Sequence, residues 1–269
     1  MSDSRIWRGH GMAMSDWHDD QTGLTGTPDL VADAQLVLAY QPIVVAGSGL
    51  CAFQEGLARL RNSSGELLTP DRFLPALERD GTIAQLDRLV LRRVAQRMMK
   101  APDERFSINI SGRTLGDEEW LATLRSLARC RQDVADRLII EVTESALYDC
   151  VVAKDFLLEI RRLGPAILLD DFGAGHTAIL KIRDLPLDGL KLDGGFSRRI
   201  DFDPDLQVLV RAMTTIADHF DLLTVAEFVE TAGEAACLTD LGVQALQGHH
   251  FGRAEVPALI PFPNRAQTG

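Results

Sequence analysis

From residue 35 onward the chain alternates between short apolar runs and longer amphipathic stretches. The runs span 36–45, 51–60, 105–110, 137–143, 166–172, 189–193, 223–229 and 245–251, all rich in Val, Ile and Leu. Runs of this length and composition predict strands buried on both faces. Between most of them, near 83–100, 114–130, 150–163, 204–220 and 231–241, apolar residues recur at helical spacing. Those segments predict amphipathic helices that cover the strands. Only the first two runs are joined by a short turn, AGSG at 46–49. That turn suits an antiparallel hairpin, because a parallel crossover needs a dozen residues or more. Eight strands with repeated strand–helix units predict an α/β fold, a (β/α)8 TIM-type barrel with an antiparallel first strand. An open doubly wound sheet is the alternative architecture. With no Pro- or Ser-rich linker inside it, this region reads as one domain over 35–262, followed by a tail at 263–269. Residues 1–34 are polar and without period, and are expected to be a flexible leader, with Met12 and Met14 as internal starts. The acidic cluster Asp16, His18, Asp19 and Asp20 is read as a solvated part of that leader, not a metal site.

Composition narrows the function classes. With 46% hydrophobic and 25% charged residues in 269, disorder is excluded as the main state. Asp plus Glu outnumber Lys plus Arg by 39 to 28, a net charge of −11. Such a surface disfavours polymeric nucleic acid, whose binding needs clustered Lys and Arg. It leaves a small phosphorylated substrate open, since bound cations can reverse the local sign of a site. Cys51, Cys130, Cys150 and Cys237 form no CxxC pair, which argues against a zinc-thiolate site or a disulfide framework and suits a reducing cytoplasm. The most apolar stretch, 36–53, is interrupted by Gln41, Pro42, Gly47, Ser48 and Gly49, so no membrane span is expected.

A buried parallel strand should be almost wholly apolar, yet these strands turn polar near their C-terminal ends. Glu55, Asn109, Glu141, Asp170 with Asp171, Lys191, Glu227 and Gln247 each follow an apolar segment of a successive run. In a TIM-type barrel the active site sits at that end. Any one of these residues could be a salt-bridged structural group. Together, five carboxylates converging on one mouth would repel and resist ionisation unless cations sat among them. Oxygen ligands without Cys or His favour magnesium or manganese over zinc. The ligand count suits two ions about 3.5–4 Å apart, a constellation that activates water against a phosphodiester. Lys191 would add a fixed positive charge for the nucleophile or the developing phosphorane.

Eight segments carry a resemblance: AYQPIV (39–44), EGLAR (55–59), SINIS (107–111), IEVTES (140–145), LLDDFGAG (168–175), LKLD (190–193), VAEFVE (225–230) and LQGHHFGR (246–253). In order and register they resemble the EAL-domain phosphodiesterases, bacterial enzymes that hydrolyse the second messenger cyclic di-GMP, over roughly residues 35–254. The resemblance implies metal ligands at Glu55, Asn109, Glu141, Asp170, Asp171 and Glu227, holding two Mg2+ or Mn2+ ions. It implies a catalytic lysine at Lys191 and a glutamine near the nucleophilic water at Gln247. Gln41 and Arg59 match substrate-contacting positions, Arg59 through a phosphate that its planar fork can grip. Glu144 matches a brace of the loop after Asp171, and Glu230 the second acid of its motif. The implied product is linear pGpG, and the implied assembly is a homodimer through the loop after Asp171.

The chain also departs from the family pattern. Gly56 replaces Ala in the signature triplet, and AGHTAI follows DDFG where TGYSSL is usual, with Ala174, His176, Thr177 and Ala178 in that loop. Gly194 and Gly195 replace Arg-Ser, Phe228 replaces Gly, and His249 and His250 replace Tyr-Leu. None of these changes removes a ligand. The retained set favours an enzyme over the alternative, a weak or inactive domain that serves as a cyclic di-GMP receptor or a protein-interaction module. GAGHTA (173–178) also fits a dinucleotide-binding fingerprint, but Asp170 and Asp171 would then flank a pyrophosphate, and the segment falls at the fifth strand, not the first. The histidines His176, His249 and His250 read as rim or packing residues.

Overall fold

The structure, a computed structural model, describes residues 35–147, 150–174 and 179–257. The expectations for the leader, the tail 263–269 and residues 175–178 of the AGHTAI loop lie outside the described residues. Eight strands close into a single ring, each hydrogen-bonded to a neighbour on either side. β1 (Leu36–Val45) runs antiparallel to β2 (Cys51–Arg61) and to β9 (Ala245–Gln247). The pairs from β2 through β4 (Phe106–Ile110), β5 (Leu138–Thr143), β6 (Ala166–Phe172), β7 (Gly189–Leu192) and β8 (Leu223–Ala226) to β9 are parallel. The barrel with an antiparallel first strand is therefore as expected, and a closed ring excludes the open doubly wound sheet. The hairpin turn closes through Val45 N–H donating to the Leu50 carbonyl, with Gly47 and Gly49 at positive φ.

The helices are α1 (Pro70–Arg79), α2 (Ile83–Lys100), α3 (Glu118–Cys130), α4 (Gln132–Ala135), α5 (Cys150–Arg162), α6 (Pro204–His219) and α7 (Ala232–Asp240). Their starts follow side-chain capping where the sequence offers it. Asp203 accepts from the Asp205 and Leu206 amides ahead of Pro204, and Thr231 with Glu234 forms a reciprocal capping box. Three elements go beyond the periodic pattern: the two-residue strand β3 (Leu67–Leu68), the single turn α4, and α1. Pro70 opens α1 where a missing N–H costs nothing, but Pro75 inside it obscures the helical signal in the sequence. Two expected strands end early, at Ala226 and Gln247, where the chain turns across the mouth. Val229 N–H donates to the Gln247 carbonyl and His250 N–H to the Val229 carbonyl, so apolar Val229 and Phe251 belong to loops, not strands.

Apolar side chains form two layers. The larger lies between the barrel and its helices and includes Phe73, Leu86, Val94, Ile108, Trp120, Ile140, Leu169 and Leu190, all buried. The smaller comprises Ile43, Phe53, Ile139, Leu168, Val225 and Ala245. These six come from six different strands around the ring, so they fill the barrel interior. A fully buried side chain of this kind is worth about 1.5–3 kcal/mol.

Candidate active site

Side chains two residues apart on a strand point to the same face. That rule builds the site. Two positions beyond interior Phe53, Ile139, Leu168, Val225 and Ala245 stand Glu55, Glu141, Asp170, Glu227 and Gln247. The same step carries Ser107 to Asn109 and Gly189 to Lys191. On β1 the direction reverses with the strand: Gln41 comes two residues before Ile43 and pairs across to Glu55. One layer above the apolar plug, the ring thus presents a closed set of polar side chains. Gly189 has no side chain because Leu168 and Leu223 leave no room; a Cβ would lie 2.6 Å from Leu168 Cδ2.

Lys191, 1% exposed, is the hub. Its Nζ lies 2.8 Å from Glu141 Oε2, 2.8 Å from Glu227 Oε1, 3.1 Å from Asp170 Oδ1 and 3.5 Å from Glu55 Oε2. Glu55 in turn accepts from Asn109 Nδ2 at 2.6 Å and from Gln247 Nε2 at 2.6 Å. Gln247 also donates to Gln41 Oε1 at 3.2 Å, and Gln41 Nε2 donates to the Gly252 carbonyl. Asp171 adjoins the cluster from a left-handed backbone, φ 54.

Burial would lower the Lys191 pKa, but Glu141, Glu55, Asp170 and Glu227 outweigh it and hold the ammonium well above the usual lysine range. Burial likewise raises Glu55, yet Lys191 and the amide donors Gln247 and Asn109 bring it below the ordinary carboxylate value. Glu141 goes the other way, pushed well up by burial and then by Glu55. Glu227 rises to about 7, through burial and Asp170, against the pull of Lys191. Asp171 is raised by burial and by Asp170. One ammonium cannot balance five carboxylates.

That imbalance fits divalent cations. Ligand oxygens of Asp170, Asp171 and Glu227 lie within 4.8 Å of one another. Glu141 Oε1 and Gln247 Oε1 are buried with no hydrogen-bond partner, the state of an oxygen aimed at a cation or a water. The donor set is all oxygen, the chemistry of magnesium or manganese rather than zinc.

Above the cluster lies a cavity of about 300 Å3, walled by Gln41, Glu55, Leu57, Glu227, Phe228 and Gln247. A neighbouring hollow of about 650 Å3 shares Leu57 with it and is lined by Asn109, Phe73, Ile83 and Asp87. Of the remaining expected residues, Arg59 stands two steps past Leu57 on the same face of β2, half-buried, donating to the Ala58 carbonyl. Glu144 is buried and accepts from Gly173 N–H at 3.2 Å, just past Asp171. Glu230 is not in the cluster: its carboxylate is half-exposed at the rim, 4.0 Å from His249. The loop there is pinned by Glu234, which accepts from the Glu230, Thr231 and Arg199 amides. Sequence reasoning passed over Glu234, although its capping-box spacing from Thr231 is a visible signal. It also passed over buried Asp87, which accepts from Ser111 N–H and Thr114 Oγ1 beneath the loop after Asn109. Its signal was an acid on the apolar face of α2, in line with Val90, Leu91 and Val94.

Fold and site together define a barrel of parallel strands closed by one antiparallel strand, with a buried, charge-imbalanced oxygen cluster around Lys191 at its mouth. The EAL domain family matches residues 27–254, and the chain belongs to that family. It is 33% identical over 225 residues to the bifunctional diguanylate cyclase/cyclic di-GMP phosphodiesterase MucR of Pseudomonas aeruginosa, covering 81% of this chain and 33% of that protein. It is 33% identical over 230 residues to the cyclic di-GMP phosphodiesterase PdeR of Escherichia coli, covering 84% and 34%. The chain thus spans about a third of the length of the curated relatives it matches. A solved structure of the PaMucR phosphodiesterase in complex with c-di-GMP superposes with a TM-score of 0.78 at 31% identity, covering 86% of this chain and 96% of that one. An EAL domain protein from Listeria monocytogenes EGD-e, at 24% identity and a TM-score of 0.77 over 85% and 92% of the two chains, shares the fold.

Proposed function

We propose that this chain hydrolyses cyclic di-GMP to linear pGpG. The observation that carries the reading is the polar ring at the mouth: Glu55, Asn109, Glu141, Asp170 and Glu227, with Lys191 and Gln247, stand on one face in one layer, and Asp171 adjoins them. In the reaction one P–O bond of the phosphodiester breaks, a bond to the oxygen of water forms, and the leaving ribose oxygen takes a proton. Glu55, Asn109, Glu141, Asp170, Asp171 and Glu227 would hold two Mg2+ or Mn2+ ions, which when bound supply Lewis-acid polarisation of a phosphoryl oxygen and lower the pKa of water. Lys191, kept protonated by its carboxylates, offers a preorganised positive charge where negative charge develops. The free Oε1 of Gln247 can accept from the attacking water and orient it. Glu55, fixed by two amide donors, stays ionised beside that water as a member of the ligand set. Arg59 and Gln41 meet the substrate above the cluster, Arg59 through a phosphate.

The same reading makes residues 35–262 one functional unit acting in the cytoplasm, as a homodimer through the loop after Asp171, with Glu144 and Glu230 bracing the loops at the mouth. Among the described residues no helix is long and apolar enough to cross a membrane. The test is turnover of cyclic di-GMP by the purified chain with magnesium, manganese or chelator. Metal-dependent pGpG that disappears in Glu55→Ala supports the proposal. Tight binding of intact cyclic di-GMP without product would make the chain a receptor. Neither product nor binding would leave a protein-interaction module.

A further inference from the structure

We infer that Phe228 is an aromatic platform on which a guanine base of the substrate stacks at the mouth of the barrel; this rests on the cyclic dinucleotide reading above. Phe228 directly follows Glu227, so a phosphodiester held at the carboxylates brings its attached nucleoside within reach of the ring. The ring lines the same cavity as Glu55, Glu227 and Gln247 yet is 49% exposed, while Phe73, Phe106 and Trp120 are fully buried. It is therefore not there to fill the core.

The backbone is bent to put it there. Phe228 has φ 54, a left-handed conformation that costs a bulky L-residue free energy and that glycine would adopt without strain. Neighbours also make room. A Cβ at Gly194 would lie 2.5 Å from Phe228 Cδ2 and 2.7 Å from its Cγ, so the ring occupies space that a side chain at 194 would need. The Arg198 guanidinium sits 5.4 Å from the ring centroid, a cation–π distance that steadies the ring. Val229 N–H donating to the Gln247 carbonyl pins the turn behind it. Strain retained in an exposed, well-braced residue beside a reactive cluster is the pattern of a ligand clamp. A flat apolar face there suits a purine, because every base has a π-face to offer.

The experiment compares Phe228→Leu, Phe228→Trp and Phe228→Gly in steady-state turnover of cyclic di-GMP, with thermal unfolding of each. Stacking predicts that Phe228→Leu raises KM about tenfold while kcat changes little, and that Phe228→Trp stays close to wild type. Phe228→Gly should raise KM at least as much, yet shift Tm by only about 2 °C, since lost contact and relieved strain oppose one another. A wild-type KM in Phe228→Leu, or a fall in kcat and Tm with KM unmoved, overturns the inference while leaving the phosphodiesterase reading standing. If the wild-type chain neither turns over nor binds cyclic di-GMP, that reading fails and this one with it.

Discussion

Inside the barrel two layers sit one above the other on the same strands and the same face. The lower layer, Ile43, Phe53, Ile139, Leu168, Val225 and Ala245, is dry and apolar. The upper layer, two residues further along each parallel strand, gathers four carboxylates around one ammonium, with Asp171 beside them. The strand alternation treats both alike; only the side-chain chemistry differs. The lower layer gains free energy on folding through burial. The upper one loses it, because desolvating charges costs more than Lys191 alone can return. The fold therefore carries its charged layer on the stability of the plug beneath it and the helices around it. The charged layer and the stabilising layer are separated by two residues along each strand.

That separation can be broken at single positions. Glu141→Gln removes one negative charge from the upper layer while keeping the side chain's shape. Turnover should fall by about 10^3 or more. In chelator the variant should unfold at the wild-type Tm or above it, because Glu141 is held far from its preferred charge state. Added manganese should raise the Tm of the wild type and much less that of the variant. Leu168→Ala does the converse. It opens a cavity among side chains that are nearly fully buried, and urea unfolding should show a loss of about 4 kcal/mol. Well below its Tm, kcat should stay near wild type. If both variants lost stability and turnover together, the two layers would form one cooperative unit.

Asp87 sharpens the comparison, being a carboxylate buried outside the mouth with no lysine beside it. Burial raises its pKa to about 6, against the hydrogen bonds from Thr114 and Ser111. The folded state therefore binds a proton more readily than the unfolded chain. The resulting stabilisation is present at low pH and is lost as pH rises toward about 6. Between about pH 5 and pH 7.5 the wild type should give up about 1 kcal/mol on this account. In Asp87→Asn, whose amide oxygen can accept the same two donors, that part of the pH dependence should vanish. An unchanged slope in chemical unfolding would show that Asp87 is solvated rather than buried.

The architecture was legible in the sequence because a barrel strand is a short apolar run and its covering helix a longer amphipathic one. The antiparallel first strand was legible from a turn too short for a crossover. The polar layer showed for the same reason: Glu141 after LII or Asp170 after ILL is conspicuous in a buried strand. What escaped was what depends on loops closing in space. Val229 and Phe251 read as strand because they are apolar, yet they lie where the chains after β8 and β9 cross the mouth. Glu234, which pins that crossing through three amides, is in sequence only a helix-capping residue. The left-handed turn at Phe228 is signalled only by the family pattern, which has Gly there; nothing in the residue itself says that an aromatic will accept φ 54.

The outer face of β2 supplies the finest test. Gly56 lies between Glu55 and Leu57 and points outward, toward α2. A Cβ there would meet Val94 Cγ2 at 3.2 Å, the Ser107 carbonyl oxygen at 3.3 Å and Ile108 Cγ2 at 3.6 Å. Gly56 is not among the positive-φ glycines, so alanine brings no backbone strain and should narrow the unfolded ensemble, a gain of up to about 1 kcal/mol. Val94 must yield a few tenths of an ångström, which takes part of that back. Gly56→Ala should thus stabilise the chain by about 0.5 kcal/mol, read as a small rise in Tm, with kcat and KM unmoved because neither interior layer is touched. A fall in Tm would mean that α2 cannot give way. A fall in kcat at unchanged Tm would mean something more: the position of Glu55 would then depend on how closely α2 packs behind it, and the outer layer would set the geometry of the inner one.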